Sequence, residues 1–429
     1  MKSIVKRMAL IFIVMVVMLS GQAFAEMKTF TKEYSYQAAA QDNKDTSRTI
    51  ALREVKQLLL DELGEYLLNE TAVKNAQIPK ERIAALTAGV VPTQLVEEKW
   101  DEKAYSLQAK ITADPDHLTS FIDALGKDVQ KTTELENVRK LNNDLLIENK
   151  KLREELAAAE GKKQPKTLAA YHKNIKELDS IEWFEKGFAT AASGNFSDAV
   201  TAYTKAVENN PQFAAAYRNR GIAYTNLGKH NEAIQDYNKV IKINPKQAVA
   251  YNNRGTAYGN LGKYSKAIPD FNKAIQLSPQ DAEAHYNRGL SYEQLGNYHQ
   301  AIKNYNKSIE INPKHANAYH NRGVAYYKLG NFNQAIVSFN EAIKINPQDA
   351  ETHYNRGLSY LSLENYHQAI LDFNEAIKIN PELADAYFNR GISLANVGEK
   401  EKAFDDVTTS AKLGHKKAQE ILKKEKVEW

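Results

Sequence analysis

Asn-Arg-Gly recurs at residues 219–221, 253–255, 287–289, 321–323, 355–357 and 389–391, each copy 34 residues after the last. Proline keeps the same period at Pro211, Pro245, Pro279, Pro313, Pro347 and Pro381. Each of these prolines follows Asn or Ser, a turn signal that stops the preceding helix. A unit this short cannot cover its own apolar face, so the copies must stack as a solenoid.

Within one copy, Tyr251, Gly255, Tyr258 and Leu261 fall on one face of a first helix, which Gly262 can end in a left-handed conformation. Ala267, Ile268, Phe271, Ala274 and Ile275 form the apolar stripe of a second helix. Gly255 and Ala267 are small where the two helices must approach. Each unit is therefore a helical hairpin.

At these residues the pattern resembles the tetratricopeptide repeat family. Trp183, Gly187, Gly194, Ala199, Tyr203, Ala206 and Pro211 stand at the family's spacing in the first unit, as do Tyr251, Gly255, Tyr258, Gly262, Ala267, Phe271, Ala274 and Pro279 in the third. Seven units start at Ser180, Ala214, Ala248, Ala282, Ala316, Ala350 and Ala384, spanning 180–415. Departures are Thr190 for an aromatic, Glu364 for glycine, and Leu394 and Val407 for aromatics in the seventh unit, which lacks the closing proline. The resemblance implies a mainly α chain, a right-handed α-solenoid whose first helices line a concave face suited to an extended peptide or a partner helix. Residues 416–429 are expected to supply a solvated capping helix and tail.

Ahead of the repeats the character changes. Leu52, Val55, Leu59, Leu63, Tyr66 and Leu67 keep helical spacing, and Tyr105, Leu107, Ala109 and Ile111 alternate as in a half-buried strand. With the strand-like TFTKEYSYQ and QLVEEKW, residues 26–126 read as a small α+β domain. Residues 127–160 carry Val138, Leu145 and Leu152 at one heptad position and Leu135, Asn142, Asn149 and Leu156 at its partner. This pattern predicts a parallel homodimer through 129–159, the asparagines fixing register; a lone solvated linker helix is the alternative. Gly161 to Pro165 predict a hinge over 161–179.

The first residues, MKSIVKRMALIFIVMVVMLSGQAFA, place Lys2, Lys6 and Arg7 before an apolar run and end in Ala23-Phe24-Ala25, as a signal peptide over 1–25 does. The expectation is an exported protein, periplasmic or secreted, without stable membrane insertion after cleavage. There is no cysteine, so neither disulfides nor thiol chemistry are available. A formal net charge of +4 on 429 residues, without a basic stripe, argues against a nucleic-acid partner.

No phosphate loop, nucleophile elbow or metal helix is present in the sequence, so neither cofactor nor enzymatic activity is expected. His285, His299, His315 and His320 lie close in sequence, but no two of them stand at i, i+4 spacing with a carboxylate partner, and no metal is expected. Binding remains. On the first helix of the third unit, Val249, Asn253, Thr256 and Asn260 make a stripe apart from the packing face. Its Asn resembles the asparagine ladder of a glycosyltransferase's tetratricopeptide superhelix, which implies that Asn219, Asn253, Asn287, Asn321, Asn355 and Asn389 pair with a peptide backbone. An amide both donates and accepts, so it can do so without reading side chains. No transferase catalytic region accompanies the resemblance. Glu185 breaks the ladder in the first unit.

The Arg before each Gly departs from the family's aliphatic residue. Sixteen residues on stand Asp in four of the six copies and Asn304 and Ser338 in the others, which predicts the structural ion pairs Arg220–Asp236, Arg254–Asp270, Arg356–Asp372 and Arg390–Asp406 between the helices of a unit. The sequence therefore predicts an exported scaffold binding a protein or peptide. The alternatives are an envelope assembly factor that binds through its α+β domain, with the repeats as spacer, and an enzyme with its site in that domain.

Overall fold

In a computed structural model that describes residues 27–68, 80–88, 91–127, 129–158 and 164–425, the repeats form helix pairs in succession. The proposed leader, residues 1–25, lies outside the described residues. The described chain divides into two bodies, one ending at Leu227 and the other beginning at Gly228, inside the second repeat.

The first body opens with an antiparallel sheet of β1 (Lys28–Gln37), β2 (Thr93–Trp100) and β3 (Ala104–Ala113) in the order β1-β3-β2. Strand β3 is central. Its Tyr105, Leu107, Ala109, Ile111 and Ala113 alternate inward, as a half-buried strand requires. Helix α1 (Lys44–Leu68) packs on β1 and β3 through its core face, on which Val55, Leu59, Leu63 and Leu67 are buried. Burying each such side chain contributes about 1.5–3 kcal/mol. Helices α2 (Lys80–Ala88) and α3 (Pro115–Lys127) complete the head.

Helix α4 (Val129–Ala158) corrects the dimer expectation. Of its heptad residues, Leu135, Val138, Asn142, Leu145, Asn149 and Leu152 are buried within this one chain, and Leu156 is half-buried. The helix packs on α2, α3 and α5, so the same face cannot also form a parallel two-chain seam. The heptad pattern records helix packing, and the partners are intramolecular.

The expected hinge is likewise replaced from residue 164 onward by helix. Helix α5 (Gln164–Ala192) runs unbroken into the first helix of the first repeat. Tyr171, Ile175, Leu178, Ile181, Phe184 and Phe188 form one buried stripe at helical spacing. Pro165 sits in the first turn, where its missing N–H costs nothing. Helices α6 (Phe196–Asn209) and α7 (Ala214–Asn226) close the first body.

The second body begins with α8 (His230–Ile243) and continues as α9 (Ala248–Asn260), α10 (Tyr264–Leu277), α11 (Ala282–Gln294), α12 (Tyr298–Ile311), α13 (Ala316–Lys328) and α14 (Phe332–Ile345). It ends with α15 (Ala350–Ser362), α16 (Tyr366–Ile379), α17 (Ala384–Asn396), α18 (Lys400–Lys412) and the cap α19 (Lys416–Lys424). Each first helix packs on the second helix of its own and of the preceding repeat, and neighbouring first helices touch. The tight point is glycine. A Cβ on Gly323 would lie 2.5 Å from the Phe339 ring, which fixes a small residue there. Turns after the first helices use Gly262, Gly296, Gly330 and Gly398 at positive φ; Glu364 takes the same conformation, φ 58, without that freedom. Among the described residues, no helix is long and apolar enough to cross a membrane.

Candidate protein-binding surface

The packing of each first helix fixes which side chains remain for a partner. The Arg before each packing Gly is withdrawn toward the second helices. Arg254 grips Asp270 through Nε and Nη2 at 2.8 and 2.6 Å, Arg356 grips Asp372 at 2.8 and 2.5 Å, and Arg390 grips Asp406 at 2.7 and 2.6 Å. These are three of the expected pairs, each a two-point fork on a nearly buried carboxylate. The fourth, Arg220 with Asp236, straddles the division between the bodies. In the other two repeats the partner is neutral: Asn304 accepts from Arg288 at 2.7 Å and Ser338 from Arg322 at 3.1 Å.

Each Arg has a second arm that the sequence reading missed. Its Nη1 reaches sixteen residues backward, into the second helix of the preceding repeat. Arg254 donates to Asn238 at 2.6 Å, Arg288 to Asn272 at 2.7 Å and Arg322 to Asn306 at 2.8 Å. Arg356 donates to Asn340 and Arg390 to Asn374, both at 2.6 Å, and in the first body Arg220 reaches Thr204 at 3.0 Å. The guanidinium is thus a clamp between repeats as well as within one. The 34-residue recurrence of Asn238, Asn272, Asn306, Asn340 and Asn374 was the available signal.

The ladder asparagines also have a structural task. Asn287 donates its amide to Asn252 Oδ1 at 3.4 Å, Asn321 to the Tyr286 hydroxyl at 2.9 Å, and Asn389 to the Tyr354 hydroxyl at 3.1 Å. Each bond joins neighbouring first helices. Asn389 Nδ2 also donates to the Asp385 carbonyl at 2.8 Å. A carbonyl can only accept, so this contact fixes which way the amide points and leaves Oδ1 outward. Asn253 and Asn355 are half-buried and make no such bond among the described residues.

In the first body the same surface already holds helices. Glu185, at the ladder position of the first repeat, is buried beneath α1, where one carboxylate oxygen takes Arg53 at 2.8 Å and Lys56 at 2.6 Å. Burial pushes this carboxyl up, but the two cations outweigh it and hold it below its usual range. In the second repeat, Glu134 of α4 accepts from Asn219 Nδ2 at 2.8 Å with one oxygen and from Arg218 with the other. Asn219 Nδ2 also meets the Ala215 carbonyl at 3.0 Å.

Of the histidines singled out above, His299 is exposed and the others pack. His285 and His353 contact the carbonyls of Pro279 and Pro347 at 3.2 and 3.1 Å, and His315 meets Ser308 at 2.9 Å. His320 meets Thr352 at 2.6 Å. Burial lowers the pKa of His285; at the equivalent place, the Asp372 carboxylate, 3.9 Å away, raises that of His353.

Comparison with known proteins agrees with the helix pairs. A family model described as TPR repeat matches residues 189–228, 260–296 and 325–363. Two described as tetratricopeptide repeat match 214–247, 282–315 and 350–383, and 236–268 and 304–337. Among curated proteins, none matches. The crystal structure of MamA is 30% identical, with 38% of this chain covering 96% of that one at a TM-score of 0.36. A tetratricopeptide repeat protein from Parabacteroides merdae is 28% identical, with 57% of this chain covering 97% of it at a TM-score of 0.44. YrrB, described as a TPR protein with an unusual peptide-binding site, is 25% identical, with 44% of this chain covering 96% of it at a TM-score of 0.39. With matching repeats from residue 189 to 383 and glycine-on-aromatic packing in each interior hairpin of the second body, the chain belongs to the tetratricopeptide repeat family.

Proposed function

We propose that this protein is a non-catalytic scaffold, exported by way of its N-terminal segment, that holds a segment of a partner protein on the first helices α9, α11, α13, α15 and α17. The observation that carries this reading is the use of equivalent positions in the first body. There Glu185, Arg218 and Asn219 engage side chains of α1 and α4, helices from outside the repeats. The ladder asparagines and Leu290, Val324, Leu358 and Ile392, three positions beyond them, are half-buried and make a mixed polar and apolar surface.

A photo-reactive amino acid at Leu358, compared with one at exposed Lys378 on α16, tests this in the living cell. The expected result is one discrete protein adduct from Leu358 and none from Lys378. Equal labelling at both positions, or none at Leu358, refutes the reading. Mass measurement of the mature chain tests the leader, with an N-terminus at Glu26 expected and an intact Met1 opposing it.

A further inference from the structure

The orientation of the ladder amides bears on what the surface can bind. An asparagine free to turn offers a donor and an acceptor and suits any peptide backbone. In the second body Asn287, Asn321 and Asn389 have committed Nδ2 to a neighbouring repeat, and at Asn389 the Asp385 carbonyl permits no other arrangement. What these residues present outward is carbonyl oxygen.

The charges on the same helices agree. The arginines of α9, α11, α13, α15 and α17 are turned to the second helices by the clamps described above. The other ionised side chains of these five helices are Glu283, Glu293, Glu351 and Asp385, against Lys328. Three of the acids begin their helices at the same repeat position and are well exposed: Glu283 61%, Glu351 75% and Asp385 59%. Half-buried Leu290, Val324, Leu358 and Ile392 lie on these helices at a fixed spacing.

Resting on the scaffold reading, we propose that the segment bound here is a basic one, with Lys or Arg side chains interleaved with apolar anchors. The cations would meet the carboxylates and the outward Asn oxygens, and the anchors the aliphatic positions. An acidic segment would face like charge and acceptors without donors, an arrangement that excludes the wrong partner.

The test is selection of a random displayed-peptide library on the intact protein, followed by titration of the enriched peptides against it and against the Glu283→Gln/Glu351→Gln/Asp385→Asn variant. The expected peptides are rich in Lys or Arg and apolar residues. Their affinity should fall about tenfold or more on raising salt to about 0.5 M, and by a similar factor in the variant. Circular dichroism establishes that the variant is folded, and the salt titration needs no substitution. Enriched peptides that are acidic or uncharged, salt-independent and indifferent to the variant, yet weakened by Leu358→Ser, overturn the basic class and leave the scaffold reading standing. Failure of any peptide to enrich, or enrichment of peptides indifferent to Leu358→Ser, overturns both.

Discussion

Replacing Arg356 by Leu, the type of residue the family usually carries there, should be far more costly than the same change at Arg322. Arg356 holds Asp372 by a fork of 2.8 and 2.5 Å, and Asp372 is 4% exposed. Removing the guanidinium leaves that carboxylate buried with only His353, 3.9 Å away, as a charge partner among the described residues. Breaking one side of a buried pair costs about 3–5 kcal/mol, mostly the penalty of the stranded charge. Arg322 instead meets Ser338 and Asn306, neutral groups whose loss costs about 1–2 kcal/mol. A global melt averages over the array, because repeats unfold with their neighbours and not as one two-state unit. Native-state hydrogen exchange read at α15 and α16 isolates the local term. Arg356→Leu should lower protection there by about two orders of magnitude or more, and Arg356→Leu/Asp372→Ala should recover part of that loss. Equal costs at positions 322 and 356, or a double variant no better than the single, would refute the assignment of the energy to the buried charge.

Glu364→Gly should stabilise the protein by about 0.5–1 kcal/mol, since Glu364 holds a left-handed conformation that the equivalent glycines adopt freely; denaturant unfolding measures it. Asn149→Leu should stabilise by about 1–3 kcal/mol, because Asn149 is 2% exposed with neither amide atom hydrogen-bonded among the described residues, and sedimentation should show the mass unchanged. In an NMR titration His353 should ionise above the ordinary 6.5 and His285 below it, and Asp372→Asn should bring His353 down. The sign for stability follows. The His353 contribution is complete below 6.5 and is lost as pH rises through its raised pKa; His285 weakens the fold as pH falls below 6.5.

The repeat frame was legible because glycine, proline and aromatic residues recur for steric reasons that survive in any one copy. The ion pairs were legible too, since Asp stands sixteen residues after Arg in four of six copies and the first unit lacks both. The backward arm of each Arg was not, because Asn238 and its equivalents lie in a different repeat from the Arg they serve. Helix α4 shows a different limit. Leu135, Val138 and Leu145 at heptad spacing specify a face to be buried and say nothing about which chain buries it. At the hinge, Gly161 and Pro165 outweighed Tyr171, Ile175 and Leu178, although that stripe is continuous with Phe184 and Phe188. The ladder asparagines were found by position, but the direction of their amides depends on Tyr286, Tyr354 and the Asp385 carbonyl, which only packing brings near.

The two-armed arginine also tells the array where it starts and stops. In the second body each guanidinium stands between an acceptor in the copy before it and one in its own copy, so its backward arm has a use only where a copy precedes it. The first repeat has none, and there Lys186 and Ala202 replace the Arg and its forward acceptor. At the far end Thr408 occupies the place of Asn374 and its kin, and its buried hydroxyl finds no partner among the described residues. Thr204 at the equivalent place does receive an arginine. The chain is thus written with a leading and a trailing copy that differ from those between them.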